Sequence, residues 1–331
     1  MAVSIEDIKK LRAMTGAGLA DVKKALTEAE GDFDKAKELL RERGLAIAAK
    51  RSDRETSNGC VLVKKVNDFA AIIALKCETD FVANGADFIK LTSDILDAAI
   101  AAKAHTLDEV KVLKVGESDA QAAVTQRSGI TGEKMELDGY CVLEGDNIEV
   151  YDHMNKHTLC TMVQLNENNA EAGHKVAMQV AAMRPVALDE SSVSEETKKT
   201  ELEVAVAKTK EELVEKAVNA ALKKAGINPA HVDSEDHIES NTKKGWLTPE
   251  QAEEARNIKK TVGEEKAASL NPTMIQNIAN GRLAKFFKEN CLVDQEFQFG
   301  DGDKQTVAQY LASQSKDLKI VAYQRFTLAA E

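Results

Sequence analysis

The chain lacks a basic excess. Its 331 residues carry 44 lysines and arginines against 55 aspartates and glutamates, a net charge of −11. A general nucleic-acid binder has the opposite balance, so direct nucleic-acid binding is not expected, although a local basic patch is compatible with the total. No apolar run is long enough to span a membrane, and the opening Met1-Ala2-Val3-Ser4-Ile5-Glu6 has no signal-peptide core. The expectation is a soluble, cytoplasmic protein with no membrane partner. Cysteine is sparse: Cys60, Cys77, Cys141, Cys160 and Cys291 are odd in number and contain no Cys-x-x-Cys pair, which points away from a zinc site and from a disulfide framework. Also missing are a Gly-rich phosphate loop, a His-Glu-x-x-His motif and a Gly-x-Ser-x-Gly elbow, and the six histidines are scattered. No cofactor or metal is expected, and a protein that acts by binding is favoured over an enzyme. Aromatics make up only 4 % of a chain rich in Ala, Glu and Lys, so helix should dominate, and the length allows two or three domains with real cores.

What is present centres on Lys76-Cys77-Glu78-Thr79-Asp80-Phe81-Val82-Ala83. The preceding run Ala70-Ala71-Ile72-Ile73-Ala74-Leu75 reads as a buried strand, and Phe88, Leu91, Ile95, Ala98 and Ala102 then mark one stripe of a helix over about 84–104. An acid and an aromatic thus sit side by side where a strand hands over to a helix, a place where a rigid scaffold presents side chains to partners. The plainer reading puts Phe81 in the core and makes Asp80 the cap of the next helix. A further reading, an enzyme built on Cys77 and Glu78, has no nearby histidine to support it, and buried strand thiols are inert.

Taken in order, residues 1–50 form a compact three-helix unit. Ile5, Ile8 and Leu11 mark the first helix, Leu19, Val22 and Leu26 the second, and Phe33, Ala36, Leu39 and Leu40 the third, which Gly44 interrupts. Residues 51–58 are a polar linker. Residues 59–135 make the first half of an α+β core, with a hairpin turning near Val66-Asn67-Asp68 and another helical patch between Asp119 and Arg127. Residues 136–192 repeat the plan with strands near 139–143, 147–153 and 158–165 and a helix from Ala170 to Met183 stopped by Pro185. Residues 193–289 read as a helical hairpin, with a capping box at Ser192-Val193-Ser194-Glu195 and a second at Thr248-Pro249-Glu250-Gln251. Residues 290–331 close the core with a strand at Ile320–Phe326. The expected fold is α+β: a three-helix ubiquitin-associated-like domain, a pseudo-repeated core with antiparallel sheets, an inserted helical hairpin and a C-terminal helical module.

Four stretches resemble one family. Cys77-Glu78-Thr79-Asp80-Phe81-Val82 resembles the signature of bacterial translation elongation factor Ts, and Thr15-Gly16-Ala17-Gly18-Leu19-Ala20-Asp21-Val22-Lys23 resembles that family's opening motif. His174-Lys175-Val176-Ala177-Met178-Gln179-Val180 resembles its second-half helix, and the run from Asn280 to Phe297 with Thr306-Val307-Ala308-Gln309-Tyr310-Leu311 resembles its C-terminal region. The resemblance implies a guanine-nucleotide exchange factor that releases GDP from elongation factor Tu and itself binds neither nucleotide nor metal. It implies that Phe81 wedges between helices near the partner's magnesium site, that Asp80, flanked by Thr79 and Val82, disturbs the groups holding that metal, and that Lys23 contacts the GTPase domain. It also implies a partner-facing position for Gln179, where the family often has histidine, and for Thr306 and Val307 in a docking module. The segment 207–268 is longer than is usual in the family, and Thr158-Leu159 departs from its Ile-Gly. The alternative function is a non-enzymatic helical adaptor or chaperone-like binding protein.

Overall fold

A computed structural model describes residues 3–15, 17–51, 53–300 and 304–329. Gly16 of the opening motif and Ser52 of the expected linker lie outside the described residues. The chain is a mixed α+β protein with helices first, small antiparallel sheets next and helices toward the end. It divides into two compact units, Met1–Leu188 with Gln295–Glu331, and Asp189–Asp294.

The first unit begins with α1 (Ile5–Thr15), α2 (Leu19–Glu28) and α3 (Phe33–Ala49), which enclose a small core of Ile8, Leu11, Val22, Ala25, Leu26 and Ala36. The expected break at Gly44 is absent; α3 continues through it. The reason is packing, because Gly44 is the point at which α3 crosses another helix, described below.

β1 (Asn58–Val66) and β2 (Phe69–Cys77) form the hairpin, turning at Asn67, whose φ of 54° suits asparagine. Two helices follow, α4 (Asp80–Ala83) and α5 (Ala86–Ala102), in place of the single one expected over 84–104. Asn84 and Gly85 separate them, Gly85 taking the extended N-cap position of α5. The buried stripe of α5 runs Phe88, Thr92, Ile95, Leu96 and Ala99, and Ala102 is exposed. After α6 (Leu107–Lys111) and the short ribbon β3 (Lys114–Val115) with β4 (Ser118–Asp119) comes α7 (Ala120–Thr131), capped by Asp119 and ended by Gly132 at φ 72°. Next are β5 (Met135–Glu144), β6 (Ile148–Asp152), β7 (Leu159–Leu165) and α8 (Ala170–Met183).

β5 departs from the expected halves. It pairs antiparallel with β2, giving the sheet order β1-β2-β5, so a boundary at 135/136 would cut through a sheet. The second sheet is β6-β7 completed from the far end of the sequence. β2 explains its own composition: Ala71, Ile73 and Leu75 face the cluster built with α5 and α7, whereas Ala70, Ile72 and Ala74 face the second sheet. A strand buried on both faces has no polar alternation to show. Gly139 on β5 is required by that packing, because a Cβ there would overlap the ring of Phe326 and approach Ala74 to 2.9 Å.

The second unit opens with α9 (Glu195–Lys224), a helix of 30 residues. Its N-cap is Ser194, which accepts from the Thr197 amide; Ser192 instead belongs to a turn capped by Asp189, so the expected box at Ser192 gives way to a simple cap two residues later. α10 (Glu235–Lys243) turns the chain, and α11 (Pro249–Ala268) and α12 (Pro272–Asn290) return along α9. The expected hairpin therefore has a return arm in two pieces. Asn271 caps α12 and Pro272 supplies its first turn, so the arm breaks where proline cannot donate a helical hydrogen bond. α11 lies against the far half of α9 around Val218, Leu222, Ala252 and Ala255, and α12 lies against the near half, where Arg282 pairs with Glu212.

The first unit then closes with α13 (Val307–Gln314) and β8 (Ile320–Thr327), which pairs antiparallel with β7. Among the described residues, no helix is long and apolar enough to cross a membrane.

Candidate functional site: the strand-to-helix junction

The junction after β2 is pinned from behind. Thr79 is the N-cap of α4, its hydroxyl oxygen accepting from the Val82 amide at 3.3 Å, so Thr79 and not Asp80 performs the capping. The same hydroxyl donates to Glu133 Oε1 at 2.7 Å, and the Thr79 amide donates to Glu133 Oε2 at 3.1 Å. One residue earlier, Glu78 Oε1 accepts from the Lys134 amide at 2.6 Å, and its other oxygen accepts from Arg54 at 2.8 Å. Asn58 donates to the Glu78 carbonyl. The Lys134 amide, then Arg54 and Arg51, hold the Glu78 carboxyl below the usual glutamate range. Cys77 donates to the Thr79 carbonyl, and burial pushes its thiol up to about 12.

With only one turn of helix, α4 sends Ala83 and Val82 into the core and turns Asp80 and Phe81 to solvent. Phe81 is 87 % exposed, the most exposed large apolar side chain among the described residues. Leaving such a side chain in water forgoes about 1.5–3 kcal/mol of burial. The reading that places Phe81 in the core is therefore incorrect, and the ring is free to enter another surface.

The other expected contact residues separate into two groups. Lys23 is exposed on α2. Thr306 is half-buried and caps α13 in a reciprocal box with Gln309. Gln179 and Val307 are both 0 % exposed, which corrects the expectation that their side chains face a partner. The structure brings them together around Gln295. Gln179 Nε2 donates to Gln295 Oε1 and to the Glu296 carbonyl, Gln179 Oε1 accepts from the Gln298 amide at 3.0 Å, and the Val307 amide donates to the Gln295 carbonyl. Val82 is half-buried, packed on the core rather than projecting.

Sequence reasoning missed Arg54, Asn58, Glu133 and Lys134. Their partners lie 20 to 80 residues away, and a Gly-Glu-Lys turn after a helix carries no local sign of what it will touch. Also missed was the strained turn between β6 and β7, where Met154, Asn155 and His157 have φ of 57°, 53° and 56°. Asp152 holds it by accepting from the His157 amide at 3.1 Å. This turn borders a cavity of about 290 Å³ that Asp80 and Asn84 line from the other side.

The thiols give a test with a definite sign. Burial pushes Cys60 and Cys77 up to about 12, above the ordinary thiol value near 8.5. The unfolded chain sheds these protons first, so the stability they hold is intact below about pH 8.5 and is lost as pH rises toward 12. A urea midpoint falling steadily above about pH 9 is expected, with Cys77 unmodified by thiol reagent at about pH 8 by peptide mass spectrometry. Rapid modification of Cys77 in the folded chain would reinstate it as a reactive group.

Comparison with known proteins identifies the family. The sequence model of the family described as Elongation factor TS matches residues 78–330, starting at the junction itself. Elongation factor Ts of Bacteroides fragilis is 62 % identical over 332 residues, that of Parabacteroides distasonis 59 % over 331, and that of Porphyromonas gingivalis 38 % over 333, each covering 100 % of both chains. The pinned one-turn helix with its outward acid and aromatic is thus carried by a chain that belongs to the elongation factor Ts family, the nucleotide exchange factors of elongation factor Tu.

Proposed function

We propose that Asp80 and Phe81 are the residues by which this exchange factor opens the nucleotide site of elongation factor Tu. The observation that carries the reading is the exposed Phe81 on a turn fixed by Glu78 and Glu133. An exchange factor must couple negatively to nucleotide: if it weakens GDP binding by some factor, GDP weakens its binding by the same factor. A rigid aromatic inserted beside the partner's magnesium site supplies that coupling, because it finds burial only when the site is deformed. Asp80 disturbs the groups with which the partner holds its Mg²⁺, and loss of the ion removes the charge that neutralises the phosphates. The chain works by binding, not by catalysing a covalent step.

The three N-terminal helices serve as a ubiquitin-associated-like docking module in this reading. Met14 and Leu19 are exposed apolar residues, Leu19 one helical turn from Lys23, and exposed apolar side chains suit a docking surface. Gln179 and Val307 contribute from the interior by holding the 295–298 segment in place. The two sheets, each covered by helix, suit a pseudo-repeated core, with α13 as the last docking element.

Asp80→Ala should slow GDP release about tenfold, the effect of 1.4 kcal/mol, while complex formation persists. Stopped-flow release of a fluorescent GDP from elongation factor Tu measures the first, and co-elution measures the second. An unchanged release rate would remove Asp80 from the mechanism.

A further inference from the structure

The helix α7 touches both of the chain's partner-facing elements. In its last turn, α3 crosses it at a pair of glycines: a Cβ on Gly129 would overlap Gly44 Cα and come within 3.0 Å of the Gly44 carbonyl oxygen. The two backbones are therefore in direct contact. Just past the left-handed Gly132 that ends the helix, Glu133 holds Thr79, and Lys134 holds Glu78. Between these points Arg51, at the end of the N-terminal segment, lies against Gly132 and pairs with Glu78 at 3.8 Å. The segment expected to be a free linker is thus tied to the junction at Arg51, Arg54 and Asn58. Beside the crossing a cleft of about 1000 Å³ keeps Met14 and Lys24 apart from Val115 and Gln126, so that contact along α3 leaves the α1–α2 face open.

Glycines inside the two helices lower helix propensity in both. Their presence at one crossing is explained by the backbone approach they permit, the arrangement small residues allow between closely packed helices.

We propose that Gly129 and Gly44 are positioning residues: α7 is a common mount that sets the N-terminal module and the Asp80–Phe81 turn at a fixed spacing, so both meet one partner without a search. This rests on the reading of the module as a docking element. A module already held in place costs less ordering entropy on binding than one on a tether. The clamp acts on affinity, whereas Phe81 acts on release.

The two glycines are not equivalent, which makes the test sharp. A Cβ on Gly44 would meet Gly129 Cα at 3.4 Å, an ordinary contact, whereas one on Gly129 would overlap. In the full-length chain, Gly129→Ala should lengthen and broaden the pulsed-EPR distance between spin labels at Thr27→Cys and Lys90→Cys. It should raise the half-saturating concentration in GDP release about tenfold and leave the maximal rate unchanged. Gly44→Ala should move both readouts far less. Gly281→Ala, on a helix where a Cβ meets open space, controls for helix propensity, and circular dichroism confirms that each variant is folded. An unchanged label distance in Gly129→Ala, or equal effects of the two alanines, overturns the clamp. An undocked module with unchanged half-saturation overturns the positioning role, while Lys23→Glu, if it still weakens binding, leaves the docking reading standing. If Lys23→Glu is silent as well, the docking reading fails and the proposal fails with it.

Discussion

Phe81→Ala is expected to leave the unfolding midpoint almost unchanged and to cut stimulated GDP release by roughly 30- to 1000-fold. The first half of the expectation follows from exposure: a ring 87 % in water contributes little to the fold, and its removal leaves no cavity. The second half follows from what an anchored aromatic is worth when buried in a partner, about 2–4 kcal/mol for an interface hot spot. Phe88 gives the contrast seven positions on. It is fully buried against the first sheet, and Phe88→Ala should cost about 3–5 kcal/mol of stability. Thermal unfolding beside stopped-flow release separates the two. A Phe81→Ala chain that is strongly destabilised, yet exchanges at the normal rate where folded, would return this ring to the core. Asp80→Ala with Phe81→Ala need not sum, since adjacent residues acting on one site are coupled.

Gln179→Ala has the opposite signature. The amide is fully buried and makes three bonds, to Gln295, to the Glu296 carbonyl and from the Gln298 amide. Removing it takes away the acceptor of the Gln298 amide and a donor to Gln295 Oε1, while the Glu296 carbonyl keeps Gln298 Nε2, and a buried polar group left unsatisfied costs about 1–3 kcal/mol. The expected result is a marked drop in the unfolding midpoint with faster amide exchange around 295–298. Gln179→Glu should be worse than Gln179→Ala, because a carboxylate at neutral pH would face two acceptors and desolvate a charge. If Gln179→Ala retained full stability and lost only partner affinity, the side chain would have to reach the surface, contrary to its burial.

These two residues show what the sequence could and could not reveal. Phe81 was legible in kind: an acid-aromatic pair at a strand end is conspicuous, and the hydrophobic run before it located β2. Whether the ring faced inward was undecided, because a four-residue helix has no periodicity from which to read a face. Gln179 was misread because its helix is apolar on most sides, and one polar residue in such a helix looks the same whether it meets water or a buried carbonyl. The partners of Glu78 and Thr79 were invisible for a different reason: Glu133 and Lys134 reach them across more than 50 residues. The same lack of long-range information assigned β5 to the wrong sheet, since a strand's composition says that it pairs but not with which edge. The split of the return arm between α11 and α12, both lying along the one long helix α9, needed the packing of α9.

The pairing of β7 with β8 bears on how the chain is made. Asn166, just after β7, bonds to Asp317 across 151 residues, and the whole unit Asp189–Asp294 is encoded between them. Order of synthesis and order of folding therefore diverge. The first sheet has all three strands once β5 has emerged, and the intervening helices have their own core to fold around. The second sheet must wait with one edge of β7 unpaired until β8 leaves the ribosome, and open strand edges are templates for aggregation. Chain length adds little to the equilibrium cost of that wait, since each doubling of a loop costs only about 0.6 kcal/mol. The cost falls on time instead, and it makes the nascent chain most vulnerable in the interval between the exposure of β7 and the arrival of Ile320–Thr327.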